Sequence, residues 1–507
     1  MHAYLPPLLS GALLALSFPK YGHPAVAWLA LFPLLVHIAD RADAPGRARR
    51  GFLWGWLCGV IYFGGTVYWT GGVMARYGGI DALLAAAIAG LLIAFLSLFP
   101  GVFGIIQTHL AHRYGPRALL LAPFVWTATE LGRTWLFGGF PWALVGYSQT
   151  PVLPVAQVAS LTGVYGLSAL IVFVSAAAAL GVTGRGRERW IAPAVALGLV
   201  AVCAAWGSAR MADGRLVSSG TPVMVGLVQG NVPQDRKWDP AFASGILRDY
   251  LDATREAADR GAKLVIWPES ATPFYYERSP QAEAIRMLAR ERGVWILLGS
   301  DEVDPVDPSV SYNSAFLVRP DGSTAGVYRK VRLVPFGEYV PFRRVLFFAA
   351  PLVEAVGDFA PGDAPVPLPF ADGIVSTAIC YEVVYPALIR EGVLEGSTLL
   401  TTITNDAWFG RSSAPYQHFE MAAMRAIEQG RYLARSANTG ISGVVDPYGR
   451  VLAASDLFVP AVLVEQVRLI DARTVYARIG DVVAYGSVLL TFAAWASLWV
   501  AGRRSAR

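Results

Sequence analysis

One cysteine stands where a nucleophile is presented. Cys380 ends the β-branched, apolar run V-S-T-A-I that starts at Val375, and Tyr381, Glu382 and a helix-like stretch follow at once. A sharp strand-to-helix turn is a known way to expose an attacking side chain. The other two cysteines, Cys58 and Cys203, lie inside strongly apolar segments and read as packing residues, so Cys380 lacks a disulfide partner in its own region. By position alone, Cys380 is either buried filler or a nucleophile. A thiol with a reference pKa of about 8.5 needs a base or a cation beside it before it attacks anything. Histidine is the usual supplier, and the stretch 208–481 has one, His418, on an amphipathic segment where a solvated or core-edge role is the expectation. With no second histidine there, a His-rich zinc site drops out and a Ser-His-Asp triad is not the expectation. Carboxylates and lysines remain. Glu269 follows the strand-like Leu264 to Trp267 in K-L-V-I-W-P-E-S, with Pro268 stiffening its approach; Lys330 closes G-V-Y-R-K; Glu338 sits in V-P-F-G-E-Y-V-P. The C-terminal edge of a strand is where open α/β sheets collect functional groups. Taken singly, each of these three charges reads as a solvated surface group.

The elements that must position them fall into two textures. Across 507 residues the chain is 54% hydrophobic and 16% charged, with mean hydropathy +0.44, which is too apolar for an ordinary soluble protein. Apolar runs occupy Leu5 to Phe18, Val26 to Ile38, Phe52 to Trp69, Leu83 to Ala111, Ala118 to Leu131, Val158 to Val182, Ile191 to Trp206 and Val482 to Val500. Several approach the roughly 20 residues that cross about 30 Å of hydrocarbon. With a cytoplasmic N-terminus, Arg41, Arg47, Arg49, Arg50, Arg113, Arg117, Arg185, Arg187, Arg189, Arg503, Arg504 and Arg507 all fall on the cytoplasmic side. The opposite short loops hold Lys20, Arg76 and Arg133. This asymmetry requires eight spans, since adding or dropping one inverts every later loop. Pro100-Gly101 in the long fourth run reads as a kink in one tilted helix. The first run lacks a basic start and an A-x-A site, and reads as a retained helix rather than a cleaved signal. The net charge of +5 follows from these loop arginines, so no nucleic-acid function is expected.

Residues 208–481 then lie on the exported side. Strand-like runs at Val223 to Val228, Leu264 to Trp267, Val294 to Leu298, Ser314 to Val318, Val375 to Ile379, Thr398 to Thr404, Ile441 to Val445 and Ala461 to Val467 alternate with helix-like Ala241 to Arg260, Gln281 to Glu291 and His418 to Ala434. Asp321-Gly322 and Pro447-Tyr448-Gly449 read as hairpin turns. Such a block buries its own α/β core, and an unpaired thiol in an oxidising compartment is less of an accident there.

Glu, Lys and Cys at strand ends, in the contexts W-P-E, Y-R-K and I-C-Y-E, resemble the triad of the nitrilase superfamily. Joined to the eight apolar runs and to G-F-P-W at Gly139 to Trp142, Q-G-N at Gln229 to Asn231, V-P-F-G-E-Y-V-P and N-D-A-W-F-G at Asn405 to Gly410, they resemble the apolipoprotein N-acyltransferases, a membrane-embedded branch of that superfamily, over essentially the whole chain. The resemblance implies a polytopic α-helical membrane bundle of eight transmembrane helices (1–207 and 482–507) plus an exported nitrilase-like α-β-β-α sandwich domain (208–481). It implies that Glu269, Lys330 and Cys380 are catalytic, with an acyl thioester on Cys380, a phospholipid donor and a diacylated apolipoprotein acceptor at the lipid bilayer. By the same resemblance Glu338 orients Glu269 or Lys330, Tyr381 and Glu382 shape the pocket and position substrate, Trp238 and Trp408 contact lipid or lipoprotein, and Phe409 and Trp142 support the site. No cofactor or metal is implied, and a monomer is expected.

Two features go beyond the motifs. The segment Phe342 to Leu352, apolar but opening on Arg343-Arg344 and containing Phe347 and Phe348, is expected either at the leaflet interface or packed on the domain core. Glu130 and Arg133 form an i, i+3 pair that either neutralises itself at the membrane boundary or offers Arg133 to a lipid phosphate. Alternatives to acyl transfer are a tethered hydrolase using water as acceptor, a transporter with a regulatory domain, and a non-catalytic lipoprotein-binding scaffold.

Overall fold

The computed structural model describes residues 4–335, 337–339 and 359–505, with 499–505 described for the backbone alone. Phe336 and the whole segment Phe342 to Leu352 lie outside the described residues. The chain forms two compact units: Met1–Ala75, Ile80–Asp213 and Ile479–Arg507 make the first, and Arg76–Gly79 with Gly214–Arg478 make the second.

Among the described residues four helical stretches are long and apolar enough to cross a membrane: Pro24–Arg41, Ala82–Gly138, Ala159–Thr183 and Glu188–Ser218. Leu5–Ala15 and Val482–Leu498 are shorter apolar helices, and Arg47–Val67 is a 21-residue helix that begins among three arginines. Among the described residues, five of the eight expected runs therefore fall within stretches that meet length and composition, two of them inside Ala82–Gly138. Within Ala82–Gly138, helix Ala82–Leu96 passes into helix Leu98–Tyr114 through Ser97, whose φ and ψ of −70° and −13° remain helical. Pro100 cannot donate to the carbonyl four residues back, at Leu96, so the ladder breaks there and the helix bends without reversing. Helices Arg47–Val67 and Leu98–Tyr114 cross at glycines, since a Cβ on Gly55 would stand 1.9 Å from the Pro100 carbonyl oxygen.

Glu130 and Arg133 do more than pair with each other. Both are 3% exposed, and both grip the segment that contains Gly139 to Trp142. Arg133 donates to the carbonyls of Phe140 (2.9 Å), Trp142 (2.6 Å) and Ala143 (3.4 Å). Glu130 accepts from the Val145 N–H (2.8 Å) and the Trp126 indole (3.1 Å). Ala143, left-handed at φ +52°, is thereby held by its carbonyl, which the Tyr62 hydroxyl also reaches. Buried charges need hydrogen-bonded partners, and here a stapled loop supplies them.

Among the described residues the second unit has twelve strands in two six-stranded sheets. Strands β1 (Thr221–Gln229), β2 (Leu264–Ile266), β3 (Trp295–Val303), β4 (Ser311–Val318), β5 (Thr324–Arg329) and β12 (Ala461–Leu469) form one in the order β12-β1-β2-β3-β4-β5. Strands β6 (Leu368–Phe370), β7 (Gly373–Ile379), β8 (Leu399–Thr404), β9 (Leu433–Ala437), β10 (Gly443–Val445) and β11 (Val451–Ala454) form the other in the order β11-β10-β9-β8-β7-β6. The centre of each sheet is parallel (β1-β2-β3 and β7-β8-β9), and the outer pairs are antiparallel. The two-residue period of a strand decides the layers. Val225, Leu227, Leu264, Ile266 and Leu297 pack with Val375, Ile379, Leu399 and Ile403 of the facing sheet. The alternate residues Val265, Ile296 and Leu298 pack outward on Ile246, Tyr250 and Ile285 of helices Pro240–Asp259 and Ala282–Arg292. Helices Pro386–Leu394 and Ala414–Gln429 cover the second sheet, completing an α-β-β-α sandwich. Both hairpin turns form, with Gly322 at φ +81° and Gly449 at φ +87°. The sequence reading ran one helix from His418 to Ala434; the structure ends it at Gln429 and opens β9 at Leu433. Gly430, left-handed at φ +64°, supplies the C-cap that the apolar pattern conceals.

Candidate active site

Strand β7 ends at Ile379, and the chain turns immediately through a short 3-10 segment, Cys380–Val384, into helix Pro386–Leu394. Cys380 sits at φ +53°, a left-handed conformation that costs a non-glycine residue about 1–3 kcal/mol unless its surroundings hold it. Two buried groups do so. The Glu382 carboxylate, 0% exposed, accepts from the N–H groups of Ile379 (2.7 Å), Val331 (2.7 Å) and Arg332 (3.0 Å) and from the Tyr328 hydroxyl (2.8 Å). It thus binds the start of the elbow to the residues that follow Lys330. Protein donors thus reach both of its oxygens. Burial pushes its pKa up to about 7, against the pull of those N–H groups and Lys330.

The second group is His418, fully buried rather than at the core edge. Its Nε2 lies 3.1 Å from the Cys380 carbonyl oxygen, a contact in which it donates. Its Nδ1 lies 3.1 Å from Asp406 Oδ1 and 3.1 Å from an Arg435 nitrogen, and Arg435 donates to Asp406 Oδ2 at 2.8 Å. Burial, then Arg435, lowers the His418 pKa, against the opposing pull of Asp406. Histidine therefore does reach Cys380, but at its backbone and not at its sulfur.

Facing the elbow, the structure brings together Glu269, Lys330 and Glu338. Lys330 Nζ, 1% exposed, donates to Glu338 Oε1 at 2.7 Å and to Glu269 Oε1 at 3.2 Å. Asn313 on β4 donates from Nδ2 to the same two oxygens, at 2.8 Å to Glu269 and 2.9 Å to Glu338. The Asn405 N–H fills Glu269 Oε2 at 2.8 Å, and the Val334 N–H fills Glu338 Oε2 at 2.8 Å. Glu269 can occupy this place because β3 offers Gly299 beneath its turn; a Cβ there would meet the Pro268 carbonyl at 2.5 Å and the Glu269 Cα at 2.7 Å. Burial by itself would raise Glu269, but Lys330, Asn313 and Lys237 outweigh it and hold the carboxyl below its usual range. Burial likewise works against a charged Lys330, and Glu269 with Glu338 more than restores it. The Cys380 thiol is pushed up by burial first and by the Glu269 charge second, with Lys330 and the Thr404 hydroxyl opposing. The resting site is a thiol beside a carboxylate and an ammonium, not a preformed thiolate.

The aromatic candidates separate. Tyr381 is 5% exposed and meets the Tyr385 ring edge-on at 5.4 Å. Trp408 lies on the turn after Asn405, where the Tyr77 ring meets it edge-on at 4.9 Å and the Tyr77 hydroxyl donates to the Ala407 carbonyl at 2.9 Å. Phe409 packs edge-on against His418 at 5.9 Å. Trp238 is 47% exposed. Trp142 belongs to the first unit, 1% exposed and packed on Trp69 and Phe140 with ring centroids at 5.0 and 6.2 Å.

A carbon-nitrogen hydrolase family model matches residues 224–477, and an apolipoprotein N-acyltransferase N-terminal domain model matches residues 10–177. The apolipoprotein N-acyltransferase of Geobacter metallireducens is 40% identical over 493 residues, covering 96% of this chain and 93% of that protein. The chain belongs to the apolipoprotein N-acyltransferase family. The Methylococcus capsulatus member is 36% identical, covering 96% of this chain and 94% of its own length. Among solved structures, an amidase from Nesterenkonia sp. matches 52% of the chain at 24% identity with a TM-score of 0.40, covering 95% of the amidase.

Three site residues escaped the sequence reading. Asn313 is one polar residue in S-Y-N-S with nothing to mark it, and Asp301 on β3 looks like any strand-end carboxylate. Lys237 stands in a run of charges, Asp235-Arg236-Lys237, and only the fold shows that it alone of that run is buried. Its Nζ donates to the Glu269 main-chain carbonyl at 3.1 Å. Among the described residues no group of three or more His, Cys, Asp or Glu side chains is placed to hold a metal ion.

Proposed function

We propose that this member of the family moves the sn-1 acyl chain of a phospholipid, through a thioester on Cys380, to the α-amine of an S-diacylglyceryl-cysteine at the start of an apolipoprotein. The observation that carries this reading is Lys330 clamped between Glu269 and Glu338 opposite the left-handed Cys380 elbow. As sulfur attacks the ester carbonyl carbon, the thiol proton passes to Glu269 and the carbonyl electrons collect on an oxyanion beside Lys330. Because the resting groups are thiol and carboxylate, proton transfer and attack are concerted. Collapse breaks the carbon–oxygen bond, and the lysophospholipid leaves with the proton from Glu269. A fixed cation aimed at that oxyanion is worth about 3–4 kcal/mol of barrier. In the second half the acceptor amine attacks the thioester, Glu269 takes a proton from it, and the sulfur departs as thiol.

The relatives' names and the amide-forming logic of the site support an amine as acceptor. Helices Leu5–Ala15, Phe32–Arg41, Arg47–Val67, Leu98–Tyr114 with its kinked extension, Ala122–Trp135, Ala159–Thr183, Glu188–Asp213 and Val482–Ser505 support an eight-span reading. The arginine asymmetry supports a catalytic domain on the periplasmic face of the bacterial inner membrane, and we read the working unit as a monomer. Incubation of the purified protein with phospholipid and a diacylated lipopeptide tests the proposal. Triacylated peptide and lysophospholipid in equal amounts are expected; free fatty acid in place of triacylated peptide would identify a hydrolase.

A further inference from the structure

The site holds two buried lysines in opposite circumstances. Lys330 has two carboxylates within hydrogen-bond distance (2.7 and 3.2 Å) and stays an ammonium. Lys237 is 2% exposed in a stretch whose neighbours Asp235, Arg236, Trp238 and Asp239 all face solvent. Its hydrogen-bond acceptor among the described residues is a neutral one, the Glu269 carbonyl oxygen at 3.1 Å. Three N–H donors with one neutral acceptor leave a buried ammonium short of the partners it had in water.

We propose that Lys237 is the base of the second half-reaction, taking a proton from the α-ammonium of the incoming lipoprotein so that its nitrogen can attack the thioester. This rests on the acyl-enzyme reading above. The acceptor's α-amine has an ordinary pKa of about 7.7–8.0, so near neutrality it arrives largely without a lone pair. Glu269 is a poor base for it, because Lys330, Asn313 and the Asn405 N–H already stabilise its carboxylate. Burial brings Lys237 down to about 8, against the opposing pull of Glu269, Asp301 and Cys380, which matches it to the proton it must take. Two like groups whose surroundings drive them apart divide the labour of a site: Lys330 as permanent cation, Lys237 as the one that discharges.

The titratable groups facing Lys237 are Glu269 after β2, Asp301 on β3 and Cys380 after β7. On its own segment Arg236 turns to the Phe242 ring at 5.2 Å and Asp239 caps helix Pro240–Asp259. The step balances. The neutral Lys237 amine takes one proton from the ammonium, and the freed lone pair attacks the thioester carbon. The carbonyl electrons become an oxyanion beside Lys330, and the second nitrogen proton moves to Glu269. Collapse breaks the carbon–sulfur bond, the thiolate recovers the proton from Glu269, and Lys237 returns its own to water.

The test separates the half-reactions. Acyl-enzyme is formed from phospholipid, with lysophospholipid release as the burst, and then chased with a diacylated lipopeptide between about pH 7 and about pH 9.5. In Lys237→Met the chase at about pH 7 slows about 10-fold, the reciprocal of the acceptor's free-amine fraction there, while the burst slows by less than about 3-fold. The chase deficit closes to within about 3-fold at about pH 9.5, where solvent has deprotonated the acceptor. Lys237→Arg, permanently charged, keeps the slow chase. Equal slowing of burst and chase in either variant, a deficit constant with pH, or recovery by arginine overturns the assignment. Arginine also serves as the readout if the methionine variant does not fold. Absence of a burst in the unsubstituted enzyme would instead remove the acyl-enzyme reading on which the assignment rests.

Discussion

Replacing Glu382 by glutamine asks whether this carboxylate builds the elbow or handles substrate. Its Oε2 accepts from the Ile379 N–H and the Tyr328 hydroxyl, and its Oε1 from the N–H groups of Val331 and Arg332. An amide can present its NH2 to only one of these pairs. Turned toward Ile379 and Tyr328 it faces one N–H it cannot satisfy, since the hydroxyl can rotate to accept; turned the other way it faces two. The cheaper orientation strands one buried donor at about 1–3 kcal/mol and weakens the remaining bonds by removing the charge, for a total of about 2–4 kcal/mol. On a domain of this size that lowers the apparent unfolding temperature by about 5–10 °C. Because the same bonds tie Cys380 to the chain after Lys330, kcat falls with stability while the phospholipid KM stays within about 2-fold. Thermal unfolding in detergent, followed by tryptophan fluorescence, with steady-state transfer kinetics measures both. Unchanged stability with a raised KM would refute the clasp and return Glu382 to the substrate.

Other expectations follow from the same geometry. His418→Gln loses the well-placed Nε2 donor to the Cys380 carbonyl and should slow burst-phase lysophospholipid release about 10-fold or more without changing KM; an unaltered burst would show that the elbow holds itself. Arg133→Gln, which removes donors to three buried carbonyls, should cost about 2–4 kcal/mol of stability and leave the phospholipid KM unchanged, whereas a selective rise in KM would restore the phosphate-binding role. Asp406 is brought from 3.8 to about 2 by Arg435 and His418, which outweigh its burial. A lowered carboxylate contributes stability that is complete above its unfolded value and lost as pH falls through its folded value. About 2–3 kcal/mol should therefore disappear between about pH 4 and pH 2, and this loss should be absent from the acid titration of Asp406→Asn.

The strand ends that carry Glu269, Lys330 and Cys380 were legible because each closes a short β-branched run, and the period of two told which side chains face the sandwich. The helix end at Gln429 was not, because an apolar pattern runs on through Gly430 into β9 and only the left-handed glycine separates them. His418 illustrates the limit differently. Its residue type suggested a base, while its use is fixed by Asp406 and Arg435, which approach from other elements. Asn313 and Lys237 were invisible for the same reason: one polar residue in a strand and one lysine among charges gain their meaning from burial, which local sequence does not encode. In the first unit, spacing paired Glu130 with Arg133 but did not show that Arg133 reaches to Ala143 and Glu130 to Val145 in a strained loop.

The central claim is that Cys380 carries the acyl chain between two substrates. Intact-protein mass spectrometry after mixing with phospholipid alone, under acidic quench that preserves thioesters, measures it directly. The account predicts one fatty-acyl adduct mapping to Cys380, removed by hydroxylamine, discharged by a diacylated lipopeptide and absent in Cys380→Ser. Transfer that proceeds at full rate with no adduct, or in the serine variant, would contradict it.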